Sequence, residues 1–285
     1  MRLFADGGFA DPGLHHMIHP TAIVHPKAQL DSTVQVGPYA IIDGDVSVGP
    51  DCRVGPFVYL TGHTTVGSGN RFYAGCVIGE APQDVKYHDE PTRLEIGADN
   101  LFREGFTAHR SAKAEEATVI GSHNFLMVNS HVGHNVRLGD HVILANGALL
   151  AGHVEVGDRA FISGNCLVHQ FVRVGTLALM QGGAAISKDL PPFTIARGTN
   201  QLAGLNIVGL RRAGFTAAER LELKKLYLQL LRRRRLFSAA LADARKNFTS
   251  APARTLLDFA AASKRGLCLD PGGLENEAES EADID

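Results

Sequence analysis

The chain has 285 residues, of which 45% are hydrophobic and 20% are charged, and its formal net charge is −2. This length suggests one or two domains, and the near-zero charge gives no indication of a nucleic-acid partner. No apolar run reaches the roughly 18 residues of a membrane span, and residues 1–16 lack the apolar core of a signal peptide. The four cysteines form no CxxC pair, which favours free thiols and a reducing cytoplasm.

A large apolar residue recurs at nearly every sixth position from Ile18 to Ile186. The exceptions in this series are Asp84, Glu90, Ala108 and Ala114. Period six is neither the helical period nor the two-residue alternation of a sheet, and it is typical of a hexapeptide-repeat parallel β-helix. The sixth-residue side chains should fill the bore, with a small residue four positions later. Proteins with this repeat wind left-handed, so the predicted fold is a left-handed parallel β-helix, mainly β with an α-helical C-terminus.

The repeat defines the first part of the predicted domain organisation. Residues 1–16 precede it and are expected to be a disordered extension. The β-helix is predicted over residues 17–192. The pattern is lost near residues 84–95 and 110–119 but resumes on a multiple of six. We therefore expect these two segments to leave the prism as loops, where functional residues are often found.

The pattern becomes helical after the repeat stops at Pro191-Pro192. Thr216 and Glu219 form a capping-box motif, and a second helix is predicted over residues 253–263. A helical C-terminal domain is therefore expected over residues 193–269. Residues 270–285 are rich in Asp and Glu without Lys or Arg, which predicts a disordered acidic tail.

The 13 histidines avoid the inward positions of the coils, so we expect them on the outer surface or at corners. Residues about 18 apart stack in successive coils, because three hexapeptides close one coil. The columns are His134, Gly152, Gln170; then Asn135, His153, Phe171; then Gly133, Ala151, His169. Three histidines thus converge on one patch, with His131 three residues before His134. Such a patch suits either Zn²⁺ with an open position or a general base with substrate contacts.

Several segments around this patch carry a family resemblance. They are Gln83-Asp84-Val85-Lys86-Tyr87, Glu90-Pro91-Thr92-Arg93, Asn129 to His134, Leu150 to His153, Val168 to Phe171, and Asn206 to Arg212. In this order they closely resemble the acyl-[acyl-carrier-protein]–UDP-N-acetylglucosamine O-acyltransferases, which begin lipid A biosynthesis. The resemblance runs from about Met17 to Leu267. It implies a homotrimer with active sites between subunits, with UDP-N-acetylglucosamine and a 3-hydroxyacyl carrier protein as substrates. No cofactor or metal is expected.

The resemblance also implies roles for the matched residues. His134 matches the general base that deprotonates the glucosamine 3-hydroxyl, which then attacks the acyl thioester. Gly152 matches the glycine whose N–H stabilises the oxyanion. Asn135 stands where many members have the Asp that orients the imidazole. The other matches are substrate contacts, with the last two on the uridine diphosphate: Asp84, Lys86, His109, His131, His153, His169, Gln170, Asn206 and Arg212.

Two departures and several alternatives accompany this interpretation. The amide of Asn135 can accept from the imidazole but carries no charge, and Val208 stands where some members have Glu. The nearest alternative is the UDP-3-O-acylglucosamine N-acyltransferase, whose motif resembles His134-Asn135-Val136. It usually has a uridine-binding domain before the repeat, whereas the repeat already begins at Ile18 here. Another hexapeptide-repeat acyltransferase, one acting on a 3-amino sugar, a zinc-dependent enzyme and a non-catalytic scaffold stay open, as does acyl-chain length.

Overall fold

The structure is a computed structural model that describes residues 17–232 and 237–272. Most of it is a three-faced prism of short parallel strands. The first face contains Ile23–Val24, Ile41–Ile42, Tyr59–Leu60, Val77–Glu80, Thr107–His109, His131–Val132, Leu149–Leu150, Leu167–Val168 and Ala185–Ile186. The second contains Gln29–Leu30, Val46–Val48, His63–Val66, Arg93–Ile96, Ala117–Ile120, Arg137–Leu138, Glu155–Val156 and Arg173–Val174. The third contains Gln35–Val36, Arg53–Val54, Arg71–Phe72, Leu101–Phe102, Phe125–Leu126, Ile143–Leu144, Phe161–Ile162, Leu179–Met180, Thr194–Arg197 and Gln201–Leu205.

The six-residue period fills the bore of this prism. The sixth-position side chains, such as Leu60, Leu126 and Ile162, are fully buried. Small residues four positions later are buried beside them, and they include the free thiols of Cys52, Cys76 and Cys166. Burial raises the pKa of the Cys76 thiol to about 12, so this cysteine behaves as a small apolar residue. The repeat thus specifies the core almost residue by residue.

The four exceptions to the period have simple structural explanations. Asp84 and Glu90 lie in a loop over residues 81–92, and Ala114 lies in a second loop over residues 110–116. Ala108 stays in the bore as a small side chain. Both loops leave the prism at the corner between the first and second faces. They are slightly displaced from the predicted segments because strand pairing resumes at Arg93 and at Ala117.

The loops change the length of a coil but not its register, as a column of three buried asparagines shows. In a regular coil the Val142 N–H donates to Asn124 Oδ1, which lies 18 residues earlier. Across the second loop the Asn124 N–H donates to Asn100 Oδ1, 24 residues earlier. Across the first loop the Asn100 N–H donates to Asn70 Oδ1, 30 residues earlier. The loops therefore lengthen their coils by whole repeat units, and inward residues on either side stay in the same columns.

Strand pairing continues past residue 192, where the repeat was expected to end. The strand Thr194–Arg197 pairs in parallel with Leu179–Met180, and Gln201–Leu205 then turns back antiparallel to it. Leu179 pairs with Ile195, whereas the spacing of a regular coil would pair it with Arg197. The six-residue period therefore no longer marks these two strands, although they complete the third face.

The helices follow these strands. They are α1, Ile207–Arg212; α2, Ala217–Tyr227, which continues as a π-helix over Leu228–Arg232; α3, Phe237–Asn247; and α4, Ala251–Ala261. The predicted capping box at Thr216 is present with both of its hydrogen bonds, and α4 corresponds to the predicted second helix. None of the described helices has the length and apolarity needed to cross a membrane. The predicted extension at residues 1–16 and most of the predicted acidic tail lie outside the described residues.

Candidate active site

The predicted columns of polar residues lie at the corner between the first and second faces. His134, Gly152 and Gln170 each directly precede a residue with positive φ: Asn135 at 59°, His153 at 59° and Phe171 at 63°. The His153 N–H donates to the His134 carbonyl oxygen at 2.9 Å, and the His153 ring stacks on Phe171 at 4.5 Å between centroids. The stacking predicted from the sequence spacing is therefore present at this corner.

Gly152 makes room for the imidazole of His134. A Cβ atom at residue 152 would lie 2.5 Å from His134 Cε1 and closer still to Nε2. Only glycine therefore permits the ring to lie over this turn. Among the described residues, the Gly152 N–H donates to no acceptor. The turn does not need that donor, since Pro38, Pro50 and Pro56 occupy the equivalent position, directly before a positive-φ residue, in other turns. The corner thus combines an imidazole with an unused backbone N–H.

The hydrogen bonds of Asn135 define the tautomer of His134. Asn135 Oδ1 accepts from the backbone N–H of Ala112 at 2.9 Å, so this atom must be the amide oxygen. The same oxygen lies 2.9 Å from His134 Nδ1. An amide oxygen only accepts, hence Nδ1 carries the proton and Nε2 keeps its lone pair. The free Nε2 faces Gly152, which is the arrangement that a general base requires.

Three further histidines surround His134 as neutral groups. The His153 ring meets His134 edge-on at 5.2 Å, and the His109 ring meets His131 edge-on at 5.0 Å. Burial lowers the pKa of His131 to about 4 and also lowers the pKa of His109 and His153. His131 Nδ1 is hydrogen-bonded to Thr107 Oγ1 at 2.8 Å. Uncharged imidazoles suit contacts with polar groups of a substrate.

The depressed pKa of His131 predicts a loss of stability in acid. The unfolded chain binds a proton near the ordinary value of 6.5, whereas the folded chain does so only at about 4. Between these pH values the unfolded state binds more protons, so the free energy of unfolding decreases as pH falls. We expect His131→Gln to reduce the fall in the urea midpoint between about pH 6.5 and about pH 4.5. His141→Gln, at an exposed corner, is the control. An unchanged fall in His131→Gln would contradict the prediction.

A groove of about 590 Å³ brings six predicted site residues together. They are His109, His131, His134, Gly152, His169 and Gln170. Gln83, Ser187 and Thr199 also line it, although only Gln83 belonged to a motif recognised in the sequence. Its apolar wall is a column of outward side chains, Leu149, Leu167 and Ala185, which are successive register partners on the first face. Leu149 and Leu167 are 41% and 49% exposed, an apolar strip suited to an alkyl chain.

The other predicted site residues lie outside this groove. Asn135 and His153 line a second cavity, of about 640 Å³. Asp84 accepts the Lys86 N–H within the first loop at 3.0 Å, and Lys86 is exposed. Neither of them lines the groove. Within the described residues, no group of three His, Cys, Asp or Glu side chains is placed to hold a metal ion.

The two residues predicted to contact the nucleotide lie at helix α1. Asn206 is 8% exposed and caps this helix, accepting from the Gly209 N–H and donating to the Leu177 carbonyl oxygen, both at 2.9 Å. Its amide is therefore fully used by the fold of this chain. Arg212 is exposed in the last turn of α1. An expected nucleotide role for these two residues would need a substrate approaching from the α1 side.

The prism, the histidine corner and the apolar groove define the class of hexapeptide-repeat transferases. A profile described as bacterial transferase hexapeptide matches residues 45–80 and 117–152. These two matches lie on either side of the loops. A second profile, described as UDP N-acetylglucosamine O-acyltransferase, domain 2, matches residues 189–268. The two profiles together span both parts of the structure.

Individual relatives identify the family within this class. The chain is 42% identical over 254 residues to the acyl-[acyl-carrier-protein]–UDP-N-acetylglucosamine O-acyltransferase of Thermodesulfovibrio yellowstonii, covering 88% of this chain and 98% of that protein. It is 44% identical over 253 residues to that of Saccharophagus degradans, with the same coverage. The crystal structure of the UDP-N-acetylglucosamine O-acyltransferase from Moraxella catarrhalis superposes with a TM-score of 0.85 at 36% identity, covering 89% of this chain and all of that one. The chain belongs to the acyl-[acyl-carrier-protein]–UDP-N-acetylglucosamine O-acyltransferase family, and the predicted fold class, a left-handed parallel β-helix with a helical C-terminal region, is confirmed.

Proposed function

We propose that this protein transfers a 3-hydroxyacyl chain from acyl carrier protein to the glucosamine 3-hydroxyl of UDP-N-acetylglucosamine, the first step of lipid A biosynthesis. The observation that carries the proposal is the free Nε2 of His134 directly over Gly152. This pair lines a groove with an apolar wall, in a chain of this family. The groove accounts for an acyl donor, and its histidines account for a polar acceptor.

The reaction follows from the two groups at the corner. His134 Nε2 takes the proton of the sugar 3-hydroxyl, and that oxygen attacks the thioester carbonyl carbon. The carbonyl oxygen becomes an oxyanion that accepts from the Gly152 N–H. Collapse of the tetrahedral intermediate forms the ester and breaks the C–S bond. The departing thiolate of the carrier protein takes the proton from the His134 imidazolium, which restores the neutral base.

The remaining predicted contacts complete the proposal. The sugar is bound by Asp84 and Lys86 of the first loop together with the neutral histidines of the corner, and the acyl chain lies along the column from Leu149 to Ala185. His169 and Gln170 contact the substrate from the next coil. Arg212 binds the nucleotide phosphates, for which guanidinium groups are suited, and Asn206 holds the helix that carries it.

A homotrimer is part of the same proposal. Asp84, Lys86 and Arg212 lie outside the groove of their own chain, and a neighbouring subunit would supply such residues to a site between chains. A cytoplasmic location, predicted from the unpaired cysteines, also belongs to the proposal. The oligomeric part is tested by sedimentation of the purified protein, in which a monomer at micromolar concentration would contradict it.

The decisive experiment combines acceptors and donors. We expect purified protein to form a 3-O-acyl ester when UDP-N-acetylglucosamine is mixed with a panel of 3-hydroxyacyl carrier proteins, with mass spectrometry identifying the product and the preferred chain length. A 3-amino analogue of the acceptor and UDP-3-O-acylglucosamine are parallel arms. Product from either of these acceptors alone would overturn the proposed function in favour of N-acyl transfer.

A further inference from the structure

The amide of Asn135 connects the His134 imidazole to a carboxylate of the second loop. Asn135 is 6% exposed, and its Nδ2 donates to Ser111 Oγ and to Glu116 Oε2, each at 2.7 Å. The opposite end of the amide accepts from His134 and from the Ala112 N–H. The backbone N–H on one side and the carboxylate on the other both require the same amide orientation. The connection therefore runs from carboxylate through amide to imidazole.

We propose that Glu116 is a positioning residue for His134: through the Asn135 amide, its carboxylate holds the imidazole as the Nδ1–H tautomer and stabilises the imidazolium formed during acyl transfer. The proposal rests on the proposed role of His134 as the base. It accounts for a neutral residue beside the imidazole, because the negative charge lies one hydrogen bond further away. Glu116 touches no substrate in this arrangement, so its effect passes through Asn135 alone.

Two physical effects transmit the charge. A hydrogen bond from an amide N–H to a carboxylate is charge-assisted and stronger than one between neutral groups. In a partly buried site, consecutive hydrogen bonds polarise one another. Donation from Nδ2 to Glu116 therefore increases the negative charge on Asn135 Oδ1, which faces His134 Nδ1. The neutral amide thus behaves partly as the carboxylate of a conventional dyad would.

The second loop holds the carboxylate in place and ionised. Lys113 Nζ lies 3.0 Å from Glu116 Oε1, and this contact, followed by the bond from Asn135, lowers the pKa of Glu116. Thr118 Oγ1 accepts the Asn135 N–H at 2.8 Å, so the strand after the loop also fixes the residue. Glu116 is consequently a carboxylate at neutral pH and has one oxygen available for each neighbour.

The charged groups around this connection set the direction of its pH effect. Those facing Glu116 are Lys113, His153 and the residues sharing the second cavity, Arg137, Glu155, Arg173, Asp189, Lys264 and Arg265. Those facing His134 are His109, His131 and His153. Loss of the Glu116 charge leaves all of these in place and destabilises the imidazolium. The acid limb of kcat/KM should therefore move to lower pH.

The first test removes one charge from either of two adjacent glutamates. We expect Glu116→Gln to lower kcat/KM about tenfold, the usual size of an effect on a residue that orients an imidazole, and to move the acid limb to lower pH. Glu115→Gln is the matched control, because Glu115 is an exposed neighbour outside both cavities, and it should change neither quantity. Identical pH profiles in the two variants would overturn the proposal.

The second test introduces an Asp at residue 135. In Asn135→Asp, a carboxylate oxygen would replace Nδ2 at 2.7 Å from Glu116 Oε2, and the two like charges would repel. We expect Asn135→Asp to be less active than the wild type. The double variant Asn135→Asp with Glu116→Gln should recover activity, because one negative charge again serves the imidazole. A double variant no better than the weaker single variant would contradict the proposal.

A readout without substrate separates the two proposals. Nitrogen-15 NMR of histidine-labelled protein should show His134 as the Nδ1–H tautomer in the wild type and in Glu115→Gln. A mixture of tautomers is expected in Glu116→Gln. If the proposed base is wrong, His134→Ala keeps its turnover. If only the role of Glu116 is wrong, His134→Ala is inactive while Glu116→Gln keeps the wild-type tautomer and rate.

Discussion

His134→Ala is expected to lower kcat for acyl transfer by about 10²- to 10⁴-fold, the usual contribution of a general base. The substitution removes the only ring nitrogen that faces Gly152, while the rest of the corner stays in place. The half-buried ring lies outside the bore, so the variant should keep its fold. The measurement is turnover with UDP-N-acetylglucosamine and an acyl carrier protein donor, together with thermal unfolding.

The matched control for this variant is His141→Ala. His141 occupies the position after the turn residue at another corner, where its ring stacks on His123 at 4.8 Å. We expect its removal to leave turnover at the wild-type level, since no predicted site residue contacts it. Near wild-type turnover in His134→Ala would contradict the base assignment. Equal losses in both variants would instead indicate that histidine removal disturbs the prism.

Gly152→Ala is expected to lower kcat about 10²-fold while the protein remains folded. The added Cβ atom would overlap the His134 imidazole, so the ring must rotate away from the Gly152 N–H. Displacement of a catalytic group by about 1 Å can itself cost about 10²-fold in rate. Stability should change little, because the group that must move is a half-buried side chain rather than backbone.

Gly164→Ala provides the control for this glycine substitution. Gly164 also directly precedes a positive-φ residue, Asn165, at a different corner. A Cβ atom there would lie no closer than 3.4 Å to its nearest neighbour, the Asn146 carbonyl oxygen. Turnover and unfolding temperature should both stay near the wild-type values. If Gly152→Ala retained full activity, the imidazole would not need its position over the turn.

The bore of the prism and the stacking of its corners could be predicted from sequence because each follows from a fixed count. Every sixth residue faces inward, and a step of three hexapeptides joins neighbouring turns. Those two counts place Leu126 in the core and His134 beside Gly152. They fail after Pro192, where Leu179 pairs with Ile195 instead of the residue that a regular coil would bring beside it. The last two strands of the third face carry no periodic signal for that reason.

Contacts made by the loops could not be predicted in the same way. Nothing in the repeat indicates that Ser111 and Glu116 return to Asn135, because a loop outside the prism has no fixed register. The apolar groove was missed for a different reason. In pairs such as Leu149-Leu150 both residues are apolar, so composition does not distinguish the outward side chain from the inward one. Asn206 matched a family position, but its amide also satisfies the ordinary preference of Asn for a helix N-cap.

The unused N–H of the turn at Gly152 separates the evolution of activity from the evolution of the scaffold. Other turns fill the same position with proline, so natural selection can vary this residue without weakening the hydrogen bonding of the prism. Two successive turns, one with histidine and one with glycine, are sufficient to create a base beside a donor. New acyl-transfer sites can therefore arise, or move by one coil, through a few substitutions at corners, while the buried columns that maintain the fold remain untouched.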